Sequence, residues 1–158
     1  MKLQELLPAD RIQLDVSAED REDAIRCLVN LAAKNEGLSD PEAILRQVLE
    51  REKQVGTGIG FGVAIPHAEP GPYAQPLAAF CRLKKGVDFK APDGQKARLI
   101  FLLLTPRETP ALHVRLLARI CRLTRSTLLR DKLLNAVDPA EVVAIIASVE
   151  ADYPELTA

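Results

Sequence analysis

Val55-Gly56-Thr57-Gly58-Ile59-Gly60-Phe61-Gly62-Val63-Ala64-Ile65-Pro66-His67 divides this chain into a helical half and a strand-rich one. The glycines at 56, 58, 60 and 62 are too dense for a helix, because each costs about 1 kcal/mol relative to alanine in a helix interior. Val63-Ala64-Ile65 reads as a short apolar strand that Pro66 stops, since proline has no amide to give to a sheet ladder. His67 therefore stands at a strand end, beside a residue whose φ is fixed by its ring.

Toward the N-terminus, Asp40-Pro41 pairs a cap residue with a proline suited to the first helical position. Ile44, Leu45, Val48 and Leu49 recur at helical spacing behind it, which places Arg51 in the last turn of that helix. Ser17, with Asp20 three positions later, predicts the start of an earlier helix whose apolar stripe is Ala24, Ile25, Leu28, Val29 and Ala32 and which runs to about residue 37. Ile12 to Val16 alternates like a strand.

Toward the C-terminus, Glu69-Pro70-Gly71-Pro72 predicts a loop, Leu77 to Leu83 a buried strand, Pro92-Asp93-Gly94 a turn and Arg98 to Leu104 a longer strand. Thr109-Pro110 opens a helix carrying Leu112, Leu116, Leu117, Ile120 and Leu123, with His113 in its first turn. A short helix over 128–135 follows, then a last one capped by Asp138-Pro139 and ending near Ala151. Helices before and after the strands predict an α/β or α+β class, with helices packed on a mixed parallel and antiparallel sheet.

The chain of 158 residues fits one compact domain, 1–158. Its 47% hydrophobic and 27% charged residues describe a chain that folds unaided. A net charge of −1, with both signs interspersed, supplies no broad positive field for nucleic acid. No apolar run approaches the roughly 20 residues of a membrane helix, and Met1-Lys2-Leu3-Gln4-Glu5-Leu6-Leu7 is too short and polar for a secretory signal, so a cytoplasmic location is expected. Cys27, Cys81 and Cys121 are widely spaced, without a C-x-x-C pair, and read as small core residues.

The chain has two histidines, His67 and His113, and both sit beside structural punctuation. An imidazole is nucleophilic near neutral pH, with an ordinary pKa of about 6.5, and suits a reversible phosphoryl carrier. Phosphoryl transfer asks a protein mainly to position the partners and to stabilise charge on the equatorial oxygens. Three groups of donors are candidates. His113 stands where a helix dipole favours the neutral ring, which still donates one hydrogen bond. Arg51 offers two parallel donors. The loop with Thr57, Gly58 and Gly60 is small enough to bring amides close to an anion.

Other chemistries fit less well. A lone histidine is more often a tolerated polar residue, Arg51 alone reads as a solvated helix-end charge, and the glycines alone mark a turn. The nucleotide pattern G-x-G-x-x-G fails because Val63 stands where the last glycine is needed, and no Gly-Lys-Ser/Thr follows. His67, His113 and Glu69 together have zinc-binding chemistry, but no H-x-x-x-H or Cys-rich spacing accompanies them. No Gly-x-Ser-x-Gly elbow exists for a serine nucleophile.

Taken together, Arg51-Glu52-Lys53, Thr57-Gly58-Ile59-Gly60 and Val63-Ala64-Ile65-Pro66-His67 resemble the active-site signature of the fructose/mannitol/nitrogen-regulatory type of enzyme IIA of the bacterial phosphotransferase system. The resemblance continues through Gly86-Val87-Asp88-Phe89, Phe101-Leu102-Leu103-Leu104 and His113 with Leu116-Leu117-Ala118, and covers nearly the whole chain. It implies a mixed sheet with helices on both faces, and neither a metal nor a cofactor. It also implies a phosphotransferase in which His67 accepts the phosphoryl group, flanked by Arg51 and His113. The implied donor is HPr or its nitrogen-type counterpart, and the acceptor is an enzyme IIB domain or a regulatory target. A non-catalytic regulatory binding module, whose partner binding depends on His67 phosphorylation or has lost it, is the alternative. Two departures stand out: Phe61 replaces a small polar residue common in relatives, and Ala68 replaces a common glycine. The first adds an apolar element to the expected docking face, which bears on partner choice.

Overall fold

The computed structural model describes residues 1–36, 38, 40–71 and 75–153. In chain order its elements are α1 (Leu3–Leu6), a 3₁₀ turn (Ala9–Arg11), β1 (Ile12–Val16), α2 (Arg21–Glu36), α3 (Pro41–Gln54), β2 (Gly58–Gly60), β3 (Val63–Ala64), β4 (His67–Gly71), β5 (Leu77–Val87), β6 (Ala97–Pro106), α4 (Pro110–Thr124), α5 (Thr127–Asn135) and α6 (Pro139–Ala151). Among the described residues, no helix is long and apolar enough to cross a membrane.

Six strands form one mixed sheet in the order β1-β5-β6-β3-β2, with β4 also paired to β6. β5 and β6 are antiparallel, whereas β1 runs parallel to β5, and β3 and β4 run parallel to β6. β6 is buried along most of its length because both its faces are covered. One face packs Phe80, Phe101, Leu103 and Ile65 against α1, α4, α5 and α6; the other packs Cys81, Ile100, Leu102 and Leu104 against α2 and α3. This is the mixed sheet with packed helices that the element pattern predicts, and the helices lie on both faces, as the resemblance implies.

The prolines at the helix starts behave as expected. Asp40 Oδ1 accepts from the Ala43 amide at 3.1 Å and Asp138 Oδ1 from the Glu141 amide at 2.8 Å, each one residue before a proline. The earlier helix differs from expectation: it begins at Arg21, and Asp20, not Ser17, accepts the hydrogen bond, from the Asp23 amide at 2.9 Å. Asp is as good a cap as Ser, and here it lies closer to the apolar stripe.

The loop expected over 69–72 is also corrected. Residues 67–71 form β4, with His67 opposite Leu103 and Ala68 opposite Leu104. The register slips between Ala68 and Gly71, an irregularity that accommodates Pro70 in a strand; residue 72 lies outside the described residues. β3 and β4 thus run along one side of β6, separated by Ile65 and Pro66, and the Pro66 carbonyl still accepts from the Leu103 amide at 3.0 Å. His67 is consequently set by the sheet itself.

Candidate functional site

The site forms where three elements end or begin together. Arg51 lies in the last turn of α3, which packs on β4; His67 opens β4; His113 lies in the first turns of α4, directly after β6. Arg51, His67, Glu69 and His113 line a cavity of about 270 Å³. The three residues singled out in the sequence are therefore brought to one place. The imidazole centroids stand 5.2 Å apart, with ring planes inclined at 52°.

His67 is half-buried, and its Nδ1 lies 2.7 Å from the Ile65 carbonyl oxygen. A carbonyl can only accept, so Nδ1 carries the proton and Nε2 keeps its lone pair. Burial pushes the His67 pKa below the ordinary imidazole value; the bond to Ile65 opposes this, Arg51 adds to it, and Glu52 and Glu69 oppose it. His67 is thus a neutral ring with one nucleophilic nitrogen.

His113 is buried, and its Nδ1 lies 2.6 Å from Thr105 Oγ1. Its Nε2 is buried without a hydrogen-bond partner among the described residues, and stands 4.0 Å from Glu69 Oε1. Its pKa is lowered first by burial, while Glu69 raises it and His67 and Arg51 lower it. The direction agrees with the sequence expectation, but desolvation leads where the helix dipole was expected to act. The His113 amide already donates to Thr109 at 3.2 Å and is not a free group of the helix end.

Arg51 is exposed and also borders a second cavity of about 490 Å³, walled by Val55, Thr57, Ile59, Leu117 and His67. Its charge reaches both imidazoles.

The backbone amides of the glycine stretch that are closest to Arg51 are turned inward. The Thr57 amide donates to Glu52 Oε1 at 3.1 Å and the Gly58 amide to the Phe89 carbonyl at 3.1 Å, so both are committed inside the protein. A Cβ on Gly58 would stand 2.9 Å from that carbonyl, and one on Gly60, whose φ is +97°, would meet the Asp93 carboxylate at 3.0 Å. These glycines let β2 lie against the segment after β5. Of Thr57, Gly58 and Gly60, Thr57 borders the second cavity with His67, and its hydroxyl is buried without a partner among the described residues.

Phe61 sits at φ +59° on the turn between β2 and β3, 53% exposed, with its amide bonded to Asp93 and Arg130 stacked over its ring at 4.6 Å. It borders neither cavity beside His67. Ala68 is buried. Of the cysteines, Cys81 is buried as expected, whereas Cys27 and Cys121 are only partly so.

Two residues to which sequence reasoning assigns no role of their own support the site. Thr105 meets His113, and Glu52 ties the end of α3 to Thr57 and to Arg21, whose guanidinium lies 3.6 Å away. Glu52 is followed by the glycines that need anchoring, which is a faint signal; Thr105 at the end of an apolar strand carries none. Although His67, His113 and Glu69 converge, no group of three or more His, Cys, Asp or Glu among the described residues is arranged to hold a metal ion.

Comparison with known proteins identifies the family. The family model described as "Phosphoenolpyruvate-dependent sugar phosphotransferase system, EIIA 2" matches residues 5–149. The chain is 35% identical over 144 residues to the fructose-specific EIIA component of Haloferax volcanii, covering 91% of this chain and 94% of that protein. It is 33% identical over 147 residues to the nitrogen regulatory protein of Bradyrhizobium diazoefficiens, covering 93% and 95%. It is also 36% identical over 146 residues to the fructose-specific EIIABC component of Bacillus subtilis, where the match covers 92% of this chain but spans only 23% of that protein. Among solved structures, the nitrogen regulatory protein IIA-Ntr of Neisseria meningitidis superposes with a TM-score of 0.84 at 31% identity, covering 90% and 97% of the two chains. The mannitol enzyme IIA of Escherichia coli, solved in complex with its phosphorylated enzyme IIB, has the same fold: TM-score 0.74, 23% identity, 90% and 99% coverage.

Proposed function

Since the chain belongs to the EIIA 2 family of the phosphoenolpyruvate-dependent sugar phosphotransferase system, we propose that it is a phosphocarrier that accepts a phosphoryl group on Nε2 of His67. The observation that carries this reading is the 2.7 Å contact between His67 Nδ1 and the Ile65 carbonyl, which leaves Nε2 as the nucleophile. The donor is the phosphohistidine of HPr or of its nitrogen-type counterpart.

In the transfer step, the His67 Nε2 lone pair attacks phosphorus in line with the donor's N–P bond. That bond breaks, and its electron pair returns to the donor imidazole. The ring of His67 gains positive character as the new N–P bond forms, and the Ile65 carbonyl supports it through Nδ1–H. The same positive character makes the imidazole a good leaving group for onward transfer. Arg51 and His113 line the cavity around His67; they offer donors to the equatorial oxygens, where the migrating group carries its charge.

Two destinations for the group follow from the relatives. Likeness to fructose-specific EIIA proteins, and the fold shared with a mannitol enzyme IIA solved beside its IIB, support delivery to an enzyme IIB domain. Likeness to nitrogen regulatory proteins supports a regulatory reading. In that reading the roughly −1.5 to −2 charges of the phosphoryl group reverse the complementarity of a docking face. Both depend on the same histidine.

Incubation with phosphoenolpyruvate, enzyme I and HPr tests the proposal. The expected result is an acid-labile, alkali-stable mass gain of one phosphoryl group, absent in His67→Ala. A wild-type protein that gains nothing, or a His67→Ala variant that gains as much, defeats it.

A further inference from the structure

We propose that Thr105 is a positioning residue that locks His113 in its Nε2–H tautomer, and so decides whether His113 attracts or repels the phosphoryl group. The inference rests on the reading of His67 as the phosphoryl acceptor.

A neutral imidazole has one N–H and one lone pair, and they interact with an anion in opposite senses. His113 is buried in the cavity wall beside His67, and burial favours its neutral form. The ring therefore has one proton to place. Its position is set by what each nitrogen meets.

At Nδ1 stands Thr105 Oγ1, 2.6 Å away on a residue with 0% exposure. Among the described residues His113 Nδ1 is the one side-chain partner of that hydroxyl. If the hydroxyl donates to Nδ1, both groups are satisfied. If Nδ1–H donates to the hydroxyl instead, the threonine proton is left buried without an acceptor, the kind of orphan that folded proteins avoid.

At Nε2 the field acts in the same sense. Glu69 Oε1 lies 4.0 Å away and favours a proton on that nitrogen, whereas a bare lone pair there would face a carboxylate. The three groups agree: Thr105 donates to Nδ1, and Nε2 carries the hydrogen. In the unphosphorylated site Nε2–H has no hydrogen-bond partner among the described residues, and it is buried in the wall of the cavity that receives the phosphoryl group. It is an unspent donor, available for an equatorial oxygen. The reversed tautomer would set a lone pair against the same oxygens.

Thr105 is well placed to hold this arrangement. It lies near the C-terminal end of β6, two residues beyond the register partner of His67, and its side chain faces the helix that the strand leads into. β6 thus fixes the hydroxyl, and through it the ring of His113, relative to His67.

The test joins a spectrum to a rate. Long-range ¹H–¹⁵N spectra of the unphosphorylated wild type are expected to show His113 protonated at Nε2, with Nδ1 as the bare nitrogen. Thr105→Val, which keeps the shape and removes the donor, is expected to yield a mixture of tautomers. Phosphoryl uptake from phospho-HPr should slow roughly 10-fold in that variant, less than outright loss of a donor because part of the population keeps the right form. Thr105→Ser should restore both spectrum and rate. A wild-type His113 protonated at Nδ1 overturns the proposal without recourse to any variant, so misfolding of Thr105→Val does not shelter it. So does a folded Thr105→Val with wild-type tautomer or wild-type rate, or a Thr105→Ser no better than Val. If wild type shows the Nε2–H tautomer yet takes up no phosphoryl group, the carrier reading of His67 falls, and the tautomer loses its role along with it.

Discussion

The glycine stretch 56–62 lies between Arg51 and His67 in the chain, only a few residues from each, and it and the corner those two form with His113 both carry the sequence marks of an anion site. They differ in what has become of their hydrogen-bonding groups. In the glycine stretch the backbone amides of Thr57 and Gly58 are bonded to Glu52 and Phe89, and the unengaged group is a side chain, the Thr57 hydroxyl, buried without a partner among the described residues. In the corner, His113 Nε2 is buried without a partner among the described residues, and Arg51 stands exposed on the rim. Donors already engaged build the frame, and unengaged ones wait for a ligand. An anion site is recognised by the second kind, whatever the glycine content nearby.

The sharpest way to break this comparison is to remove the nucleophile. His67→Ala is expected to abolish phosphoryl uptake while the protein remains folded, read as the mass gain from phosphoenolpyruvate, enzyme I and HPr. Next in size is Arg51→Ala. Loss of one charge-stabilising donor should slow uptake on the order of 10²–10³-fold, and thermal unfolding should be unchanged because the side chain is exposed. Wild-type rates in that variant would remove Arg51 from the site.

The glycine side of the comparison predicts the reverse pattern. Gly58→Ala forces a Cβ to 2.9 Å from the Phe89 carbonyl, and should cost about 1–3 kcal/mol of stability, measured by denaturant unfolding. Uptake per folded molecule should stay at the wild-type level. A variant of full stability that has lost uptake would turn the glycine stretch back into a phosphate cradle.

The smallest effect concerns pH. Burial lowers the pKa of both imidazoles, so their NMR titration midpoints should fall below the ordinary value of about 6.5. Between the folded and unfolded values the unfolded chain binds more protons. Stability from the two neutral rings is therefore fully present above the unfolded pKa, and is lost as pH falls through the folded one. Midpoints above the ordinary value would contradict the assigned cause.

Much of this is legible in the sequence, for reasons that particular residues make plain. Asp40-Pro41 and Asp138-Pro139 announce helices because cap and proline act locally. Leu77–Val87 and Ala97–Pro106 can be foreseen as strands, each somewhat shorter than observed, because flanking residues such as Lys84 and Lys85 break the apolar run. Leu3–Leu6 escapes notice, since one turn is too short for a period to show. β4 escapes because Pro70 reads as a breaker, and only the neighbouring β6 makes it a strand. The two histidines stand out by rarity. Thr105 does not, because its role arises solely from β6 and α4 meeting in space.

One measurement tests the central claim most directly: the site of phosphorylation in ¹⁵N-labelled protein, read from ³¹P-coupled imidazole spectra after treatment with phosphoenolpyruvate, enzyme I and HPr. Phosphorus bonded to Nε2 of His67, with Nδ1 still protonated toward Ile65, is the predicted result. Phosphorus on Nδ1, on His113 or on any other residue would contradict it.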